Sequence, residues 1–293
     1  MGTENGKVLI LNGRSGKIET VFDFNDEVSK ATGDYVAVHP IRAALALGEI
    51  EGDGQVELVV GSTSSHYLAV EGKTLRRIWH QQLPVKSSRT TPAMGPVLGR
   101  FDDDDLPDIL LVSNAKLQVI RGSAERNNAK QTFWLFDVPG DDELVTPATL
   151  ADLNKDGAVD VFIGTRNGTL LCFDGADGEV LAEIANEANP IVSPILIADL
   201  NSDGLNDLLF MRKDGNIYRV QTTSPLAKND VVWGQAFADA GHTCLYRYQP
   251  PQPTTSNVLT ATFGCLLLFA GGLTYMGRQK REKTIRQNQS HAY

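Results

Sequence analysis

The feature that most constrains the fold of this chain is a nine-residue pattern, D-L-N-x-D-G-x-x-D, which occurs twice in full. The copies span residues 152–160 and 199–207, and each runs directly into an apolar segment that begins at Val161 or Leu208. Oxygen-bearing side chains at positions 1, 3, 5 and 9 can converge on one point only if the chain turns sharply, and the glycine at position 6 permits that turn. The pattern therefore predicts a loop that binds a hard cation.

The residues after each loop decide which kind of cation loop this is. An EF-hand begins in the same way but needs a glutamate at position 12 and a helix on each side. Position 12 is Ile163 in one copy and Phe210 in the other, within β-branched and aromatic runs that favour strands, so an EF-hand is excluded. Many flexible oxygen donors suit calcium better than magnesium, and we therefore expect Ca²⁺. The alternative is a pair of Asp- and Gly-rich turns without metal.

The same loop recurs along the chain with first positions at residues 49, 100, 152 and 199. The two earlier copies are degenerate. Residues 49–57 keep acids at the ligand positions but use glutamates at three of them, whose longer side chains fit a tight loop less well. Residues 100–108 place Arg100 at position 1 and Asp105 where the glycine belongs. Whether these two loops bind calcium is left open.

Each repeat contains four short apolar runs, one before the loop and three after it. The run directly after the loop is continuously apolar, and the last run usually carries a large aromatic residue; in the fourth repeat this last run is residues 231–233. Four strands in roughly 50 residues are typical of a β-propeller blade. The sequence predicts an all-β fold, a β-propeller of four-stranded blades with about four and a half blades present, plus one C-terminal transmembrane helix.

The N-terminus begins in the middle of a repeat. Residues 7–18 resemble residues 170–180, which form the outer part of the third repeat. We therefore expect residues 1–35 to be the outer half of a truncated blade and residues 36–240 to form four blades. Closure of a small ring by the N-terminal strands is the alternative.

The C-terminal region differs in composition from the repeats. Residues 241–257 contain a Pro-rich segment and are predicted to be a stalk. Residues 258–276 carry no charge over nineteen positions, which is long enough for a helix to span a bilayer. Residues 277–293 are basic, and the positive-inside rule places such a tail in the cytosol. The chain is predicted to be a single-pass membrane protein of the plasma membrane or secretory pathway.

Charge and cysteine content exclude several classes of protein. The formal net charge is −9, and nucleic-acid binding needs a basic face, so nucleic acid is excluded as a partner. The three cysteines form no C-x-x-C pair, which excludes zinc-knuckle and thioredoxin-type sites. A disulfide between Cys172 and Cys244 is left open. Asn167 begins an N-G-T sequon and is a predicted glycosylation site.

With the loops and the period established, the chain resembles the FG-GAP/VCBS repeat family, the propeller repeats of integrin alpha-chain ectodomains and of some single-pass membrane proteins. The resemblance rests on D-L-N-K-D-G-A-V-D, on D-L-N-S-D-G-L-N-D and on the strands after them. It implies side-chain ligands at positions 1, 3, 5 and 9 and a carbonyl ligand at position 7. The calcium ligands that it implies are Asp152, Asn154, Asp156, Ala158 and Asp160, and Asp199, Asn201, Asp203, Leu205 and Asp207.

The predicted function is that of an extracytoplasmic, calcium-stabilised propeller, anchored in the membrane by its C-terminal helix, that binds a protein or glycan partner. One alternative is a propeller-based enzyme. The sequence contains no G-x-S-x-G, H-E-x-x-H or P-loop motif, and its five histidines are scattered singly, so we expect no enzymatic activity. The other alternative is a tail-anchored interaction scaffold in the cytosol.

Overall fold

A computed structural model describes residues 1–34, 37–86, 94–122, 132–185, 189–225, 231–233 and 246. The described chain forms two compact units. The first consists of the described residues of Met1–Gly99, Asp104–Leu144 and Gly241–Tyr246, and the second of Arg100–Asp103 with those of Val145–Ala240.

The first unit contains three antiparallel sheets and one helix. A two-stranded sheet is followed directly by the helix: β1 (Lys7–Leu11), β2 (Ile18–Asp23) and α1 (Phe24–Thr32). The second sheet has four strands in chain order: β3 (Ala46–Gly48), β4 (Glu57–Gly61), β5 (His66–Glu71) and β6 (Arg77–Gln82). The third repeats this order: β7 (Val97–Gly99), β8 (Asp108–Val112), β9 (Lys116–Ile120) and β10 (Thr132–Asp137).

Helix α1 is short, and the repeat pattern does not predict it. Asp23 caps its N-terminus by accepting a hydrogen bond from the backbone N–H of Asp26, and Gly33 ends it in the left-handed conformation at φ 78°. The helix buries Phe24 and Val28 in the apolar cluster of the first two sheets. It therefore covers apolar surface that the two-stranded sheet alone would leave exposed.

The second unit contains two antiparallel sheets. The first is formed by β11 (Thr149–Ala151), β12 (Asp160–Gly164), β13 (Leu170–Phe173), β14 (Val180–Ile184) and β18 (Val231–Trp233), in the order β14-β13-β12-β11-β18. The other is formed by β15 (Leu196–Ala198), β16 (Leu205–Met211) and β17 (Ile217–Pro225). The two four-stranded sheets of the first unit follow chain order as the repeat predicts, and the antiparallel sheets along the chain are consistent with an incomplete β-propeller.

Strand β18 does not lie where the sequence pattern places it. Residues 231–233 are expected to be the outer strand of the fourth repeat, beside β17. Instead β18 pairs antiparallel with β11, at Leu150↔Trp233 and Ala151↔Val231. The first strand of the third repeat would otherwise present unpaired backbone groups at this edge, and pairing with β18 satisfies them.

The strand that follows each loop forms the centre of the core. Every residue of β4, β8 and β12 is buried, as expected for a strand covered on both faces. In the second unit, Phe162 of β12 packs in one cluster with Leu208 and Phe210 of β16. Burial of each large apolar side chain stabilises the fold by about 1.5–3 kcal/mol.

Several sequence-based expectations concern residues outside this description. The stalk at residues 241–257 (apart from Tyr246), the predicted transmembrane helix at 258–276 and the basic tail at 277–293 lie outside the described residues. Among the residues that are described, no helix is long and apolar enough to cross a membrane. Cys172 is a free, buried thiol, and Cys244, its candidate disulfide partner, lies outside the described residues.

Candidate metal centre

Loops 49–57, 152–160 and 199–207 close through the same hydrogen bond. The carboxylate at position 9 is buried, and it accepts a hydrogen bond from the backbone N–H of position 2. The pairs are Ile50 with Glu57 at 2.8 Å, Leu153 with Asp160 at 2.8 Å and Leu200 with Asp207 at 3.0 Å. Because position 9 belongs to the buried strand after the loop, this bond ties the loop to the core of its sheet.

The backbone turn is also shared by these three loops. Positions 4 and 6 are in the left-handed region: Gly52 and Gly54, Lys155 and Gly157, and Ser202 and Gly204. Position 6 is a glycine in all three loops, because glycine adopts the left-handed conformation without steric cost. Loop 100–108 has no residue with positive φ, which agrees with Asp105 in place of the glycine. Loop 100–108 therefore lacks the turn that would bring its ligand side chains together.

Loop 152–160 directs its side-chain oxygens at its own backbone. Asp152 accepts hydrogen bonds from the N–H groups of Lys155 at 2.6 Å and Gly157 at 3.2 Å. Asn154 accepts from Asp156 at 3.1 Å, and Asp156 accepts from the N–H of Ala158, which is buried, at 2.8 Å. These bonds hold the predicted ligand side chains at one turn of the chain.

The carboxylate of Asp160 is fully buried and only half satisfied. Its Oδ2 accepts hydrogen bonds from the backbone N–H groups of Leu153 at 2.8 Å and Asn154 at 3.2 Å. Its Oδ1 has no hydrogen-bond partner. Burial raises the pKa of Asp160 to about 8, because the charged form is poorly solvated. A cation at Oδ1 would remove this penalty, so the residues present fit a bound calcium ion.

Asp174, which the nine-residue pattern does not include, lies beside this loop. Its Oδ2 accepts a hydrogen bond from the Asn154 amide at 3.2 Å. Burial raises the pKa of Asp152 and of Asp174 above their usual values. One cation is nearby, since the Lys155 ammonium donates to the backbone carbonyl of Asp152 at 3.1 Å. The carboxylates of Asp152, Asp156, Asp160 and Asp174 thus lie at one loop. Asp174 directly follows β13, so its place there becomes visible only when the strands are paired.

Loop 199–207 has the same turn with different neighbours. Asp199 accepts from the N–H groups of Asp203 at 3.2 Å and Gly204 at 2.9 Å. The Asn201 amide donates to Asp203 at 2.8 Å, and this hydrogen bond holds the pKa of the Asp203 carboxyl below its usual range. The backbone N–H of Leu205 also donates to Asp203, at 2.9 Å.

The buried carboxylate of this second loop is fully paired. Asp207 accepts from the Leu200 N–H through Oδ2 and from the guanidinium of Arg219 through Oδ1 at 2.9 Å. The Asp207 side chain is fully buried, and that of Arg219 is 37% exposed. Nothing in the nine-residue pattern indicates Arg219, because it lies on the next strand.

The degenerate loop at residues 49–57 brings acids together most closely. Oxygens of Glu51, Asp53 and Glu57 lie within 4.8 Å of one another, and across the described ranges this is the one group of three such ligands. Burial raises the pKa of Glu57 above its usual value. The acids of the two intact loops are farther apart than this.

The sequon and the histidines fall elsewhere. Asn167 is exposed in the turn between β12 and β13, where a glycan can be attached.

Contrary to their scatter in the sequence, His39, His66 and His80 lie together: Nδ1 of His66 is 3.0 Å from Nε2 of His80, and the rings of His39 and His66 are 4.6 Å apart. His39 and His66 also line a cavity of about 110 Å³ beside α1. Burial lowers the pKa of all three histidines.

Comparison with known proteins supports the fold. No family model and no curated protein sequence matches the chain. Two solved quinohemoprotein alcohol dehydrogenases match with TM-scores of 0.53 and 14% identity, from Pseudomonas putida HK5 and Comamonas testosteroni. They cover 76% and 80% of this chain, which spans 39% and 43% of theirs. A complex of BBS1N with ARL6DN matches with a TM-score of 0.46 and 14% identity over 65% of this chain and 56% of that one.

These dehydrogenases are β-propeller proteins, so the predicted propeller fold is confirmed at that level. The same finding corrects one prediction. The chain was expected not to be an enzyme, yet these two matching propellers, each with a TM-score of 0.53, are enzymes, so the fold gives no ground for that exclusion. At 14% identity the likeness shows the fold alone and assigns no activity.

Proposed function

We propose that this protein is a membrane-anchored β-propeller of the FG-GAP/VCBS type whose repeats bind a protein partner outside the cytosol, and that calcium stabilises its loops. The observation that carries the calcium role is the unpartnered Oδ1 of the buried Asp160, inside a loop of calcium-binding pattern. A bound Ca²⁺ would neutralise the clustered carboxylates there. Asp152, Asn154, Asp156 and Asp160 would hold it, with the carbonyl of Ala158.

A role in protein binding is supported by an apolar surface at one end of the last sheet. Val192, Met211 and Ile217 are exposed by 49%, 38% and 69%. They are neighbours, because Val192 donates its N–H to the Met211 carbonyl at 2.9 Å and Met211 pairs with Ile217 between β16 and β17. We name these three residues the β16–β17 patch. Contiguous exposed aliphatic residues of this kind favour protein contacts.

The calcium role is tested by melting the full chain in calcium and in chelator. At a calcium concentration about 100 times Kd, binding should raise the Tm by about 5–10 °C. Asp156→Ala should lower the Tm in calcium and make it insensitive to chelator. Asp141→Ala, which removes an exposed acid outside the loops, is the matched control and should respond to calcium like the native chain. An equal Tm loss for Asp156→Ala with and without calcium would contradict the role.

The protein-binding role is tested with Ile217→Glu in the β16–β17 patch. Cross-linking in the cells that make the protein should yield a discrete complex that Ile217→Glu weakens at least tenfold. Ile18→Glu is the control, since Ile18 is 57% exposed on β2 and belongs to a different sheet. Equal cross-linking of both variants would place the partner elsewhere, and loss of the complex on deglycosylation of the partner would indicate a glycan ligand.

A further inference from the structure

The two loops with the intact pattern lie beside different residues of the next strand. The register pairs Phe162 with Cys172 in one sheet and Leu209 with Arg219 in the other. Cys172 and Arg219 therefore occupy the same place relative to their loops, and they are separated by the same 47 residues as the loops themselves. At this equivalent position loop 199–207 has a guanidinium beside it and loop 152–160 does not.

In the fourth repeat the guanidinium completes the loop. Asp207 is fully buried, and both of its oxygens are bonded: one to the Leu200 N–H and one to Arg219 at 2.9 Å. A buried carboxylate needs a positive or hydrogen-bonding partner at each oxygen to offset its lost hydration. Arg219 supplies that partner with a full positive charge.

In the third repeat the equivalent place holds an uncharged thiol. Cys172 is buried and free, and Oδ1 of Asp160 has no hydrogen-bond partner. The other oxygen of this carboxylate, Oδ2, accepts the N–H groups of Leu153 and Asn154, so the loop bonds only one of the two oxygens. The position that Arg219 satisfies in one sheet is left unsatisfied in the other.

A second difference lies two residues further along the same strands. Gln221 donates its amide to Asp203 at 2.6 Å, whereas Asp174, at the equivalent place, accepts the Asn154 amide at 3.2 Å. Loop 152–160 therefore has an extra carboxylate where loop 199–207 has an extra donor. Both differences make loop 152–160 a better cation site than loop 199–207.

We propose that Arg219 is the built-in cation of loop 199–207, which needs no metal, and that calcium is held by loop 152–160 with Asp174 as a ligand from outside the nine-residue pattern. This inference rests on the proposed calcium role and divides it between the two loops. Arg219 already neutralises Asp207 at Oδ1, and a Ca²⁺ ion at the same oxygen would be disfavoured by repulsion between the two positive charges. The guanidinium keeps its charge at any physiological pH.

The first test counts bound ions with a matched pair of variants. Equilibrium dialysis of the full chain against Ca²⁺ gives the number of ions per chain, and Asp156→Ala and Asp203→Ala remove position 5 from each loop. We expect Asp156→Ala to lose one ion and Asp203→Ala to lose none. Any ion held by loop 49–57 is present in all samples and cancels in the differences.

The outcomes separate this inference from the proposed function. If each variant loses one ion, both loops bind calcium, and the inference is overturned while the calcium role stands. If Asp156→Ala loses no ion, the calcium role itself fails and the inference fails with it. Asp174→Asn should weaken the affinity of the remaining site at least tenfold, and an unchanged affinity would remove Asp174 from the ligand set.

The second test converts one loop into the other. Arg219→Gln combined with Gln221→Asp gives loop 199–207 the neighbours of a metal loop, and we expect one additional bound ion and a calcium-dependent rise in Tm. Arg219→Lys, which keeps a positive charge, is the control and should gain no ion. An unchanged ion count in the folded double variant, verified by circular dichroism, would overturn the role of Arg219.

Discussion

Gly175 lies against the carbonyl oxygen of Val159, the eighth residue of loop 152–160, and an added Cβ would stand 1.9 Å from that oxygen. Two other glycines meet the eighth residue of their own loop in the same way, Gly72 at Val56 with 2.1 Å and Gly122 at Pro107 with 2.2 Å. In the fourth repeat the equivalent residue is Thr222, whose hydroxyl donates to the carbonyl of Asn206 at 2.5 Å. The chain therefore crosses each loop closely, by a glycine contact or by a hydrogen bond.

The glycine contact predicts a large effect from a single methyl group. Gly175→Ala should destabilise the protein by about 2–4 kcal/mol, because the new Cβ meets backbone rather than a mobile side chain. Urea unfolding of the purified chain measures this. Gly13→Ala is the control, since a Cβ there meets nothing within 4 Å, and it should change stability by less than about 0.5 kcal/mol. Equal effects of the two changes would contradict the close approach.

The histidine cluster predicts a pH dependence of stability. Burial lowers the pKa of His66 to about 4, while an unfolded histidine titrates near 6.5, so the unfolded chain binds more protons between these values. Stability should fall by on the order of 2 kcal/mol as the pH drops from 7 to 4.5. His39 and His80 face His66 and oppose its protonation, Arg77 opposes that of His80, and Asp34 favours that of His66.

The measurement compares the native chain with His66→Gln in urea at several pH values. The carboxylates titrate in both proteins, so the difference between the two curves isolates the histidine. We expect the native chain to lose more stability toward acid than the variant. Parallel curves would show that His66 does not oppose protonation in the folded state.

At the scale of single elements, the pairing of β18 with β11 is the clearest departure from the repeat. Val231 pairs with Ala151 on this edge. Val231→Pro removes a backbone N–H and should destabilise the β11–β14 sheet by on the order of 2 kcal/mol. Hydrogen exchange should then quicken in β11 and β12 and stay unchanged in β4 and β8. Val231→Thr, which keeps the N–H, is the control; loss of protection in both units, or in neither, would contradict the pairing.

Elements and site were predictable from the sequence to different degrees. The loops and the strands directly after them could be predicted, because glycine, acid and apolar spacing act within a dozen residues. Strand β18 could not, since residues 231–233 fit either edge and only the free edge of β11 decides between them. The places of Arg219, Asp174 and the histidine cluster depend on cross-strand register, which the sequence does not give directly. For Arg219 one signal was available: it lies 47 residues after Cys172, the same interval that separates the two intact loops.

At the scale of the whole molecule, the proposed membrane orientation predicts a modified chain. Asn167 is exposed, so a propeller on the lumenal side should carry a glycan there. Glycosidase treatment of the protein from its own cells should increase gel mobility, and Asn167→Gln should abolish that shift. Asn288→Gln, which removes the sequon in the predicted cytosolic tail, is the control and should keep the shift. A glycan at Asn288 and none at Asn167 would reverse the proposed orientation.

The pairing of β11 with β18 also means that, during synthesis, one edge of β11 stays unpaired until β18 has been made. Ala151 and Val231 lie about 80 residues apart, and a ribosome adds about 5–20 residues per second. The edge of β11 therefore stays open for roughly 4–16 s after it is made, much longer than a hairpin needs to form. Neighbouring strands such as β12 and β13 can pair at once, whereas β11 waits for the arrival of β18. In that interval the nascent chain exposes an edge at which another strand can pair wrongly with β11, and the arrival of β18 closes it.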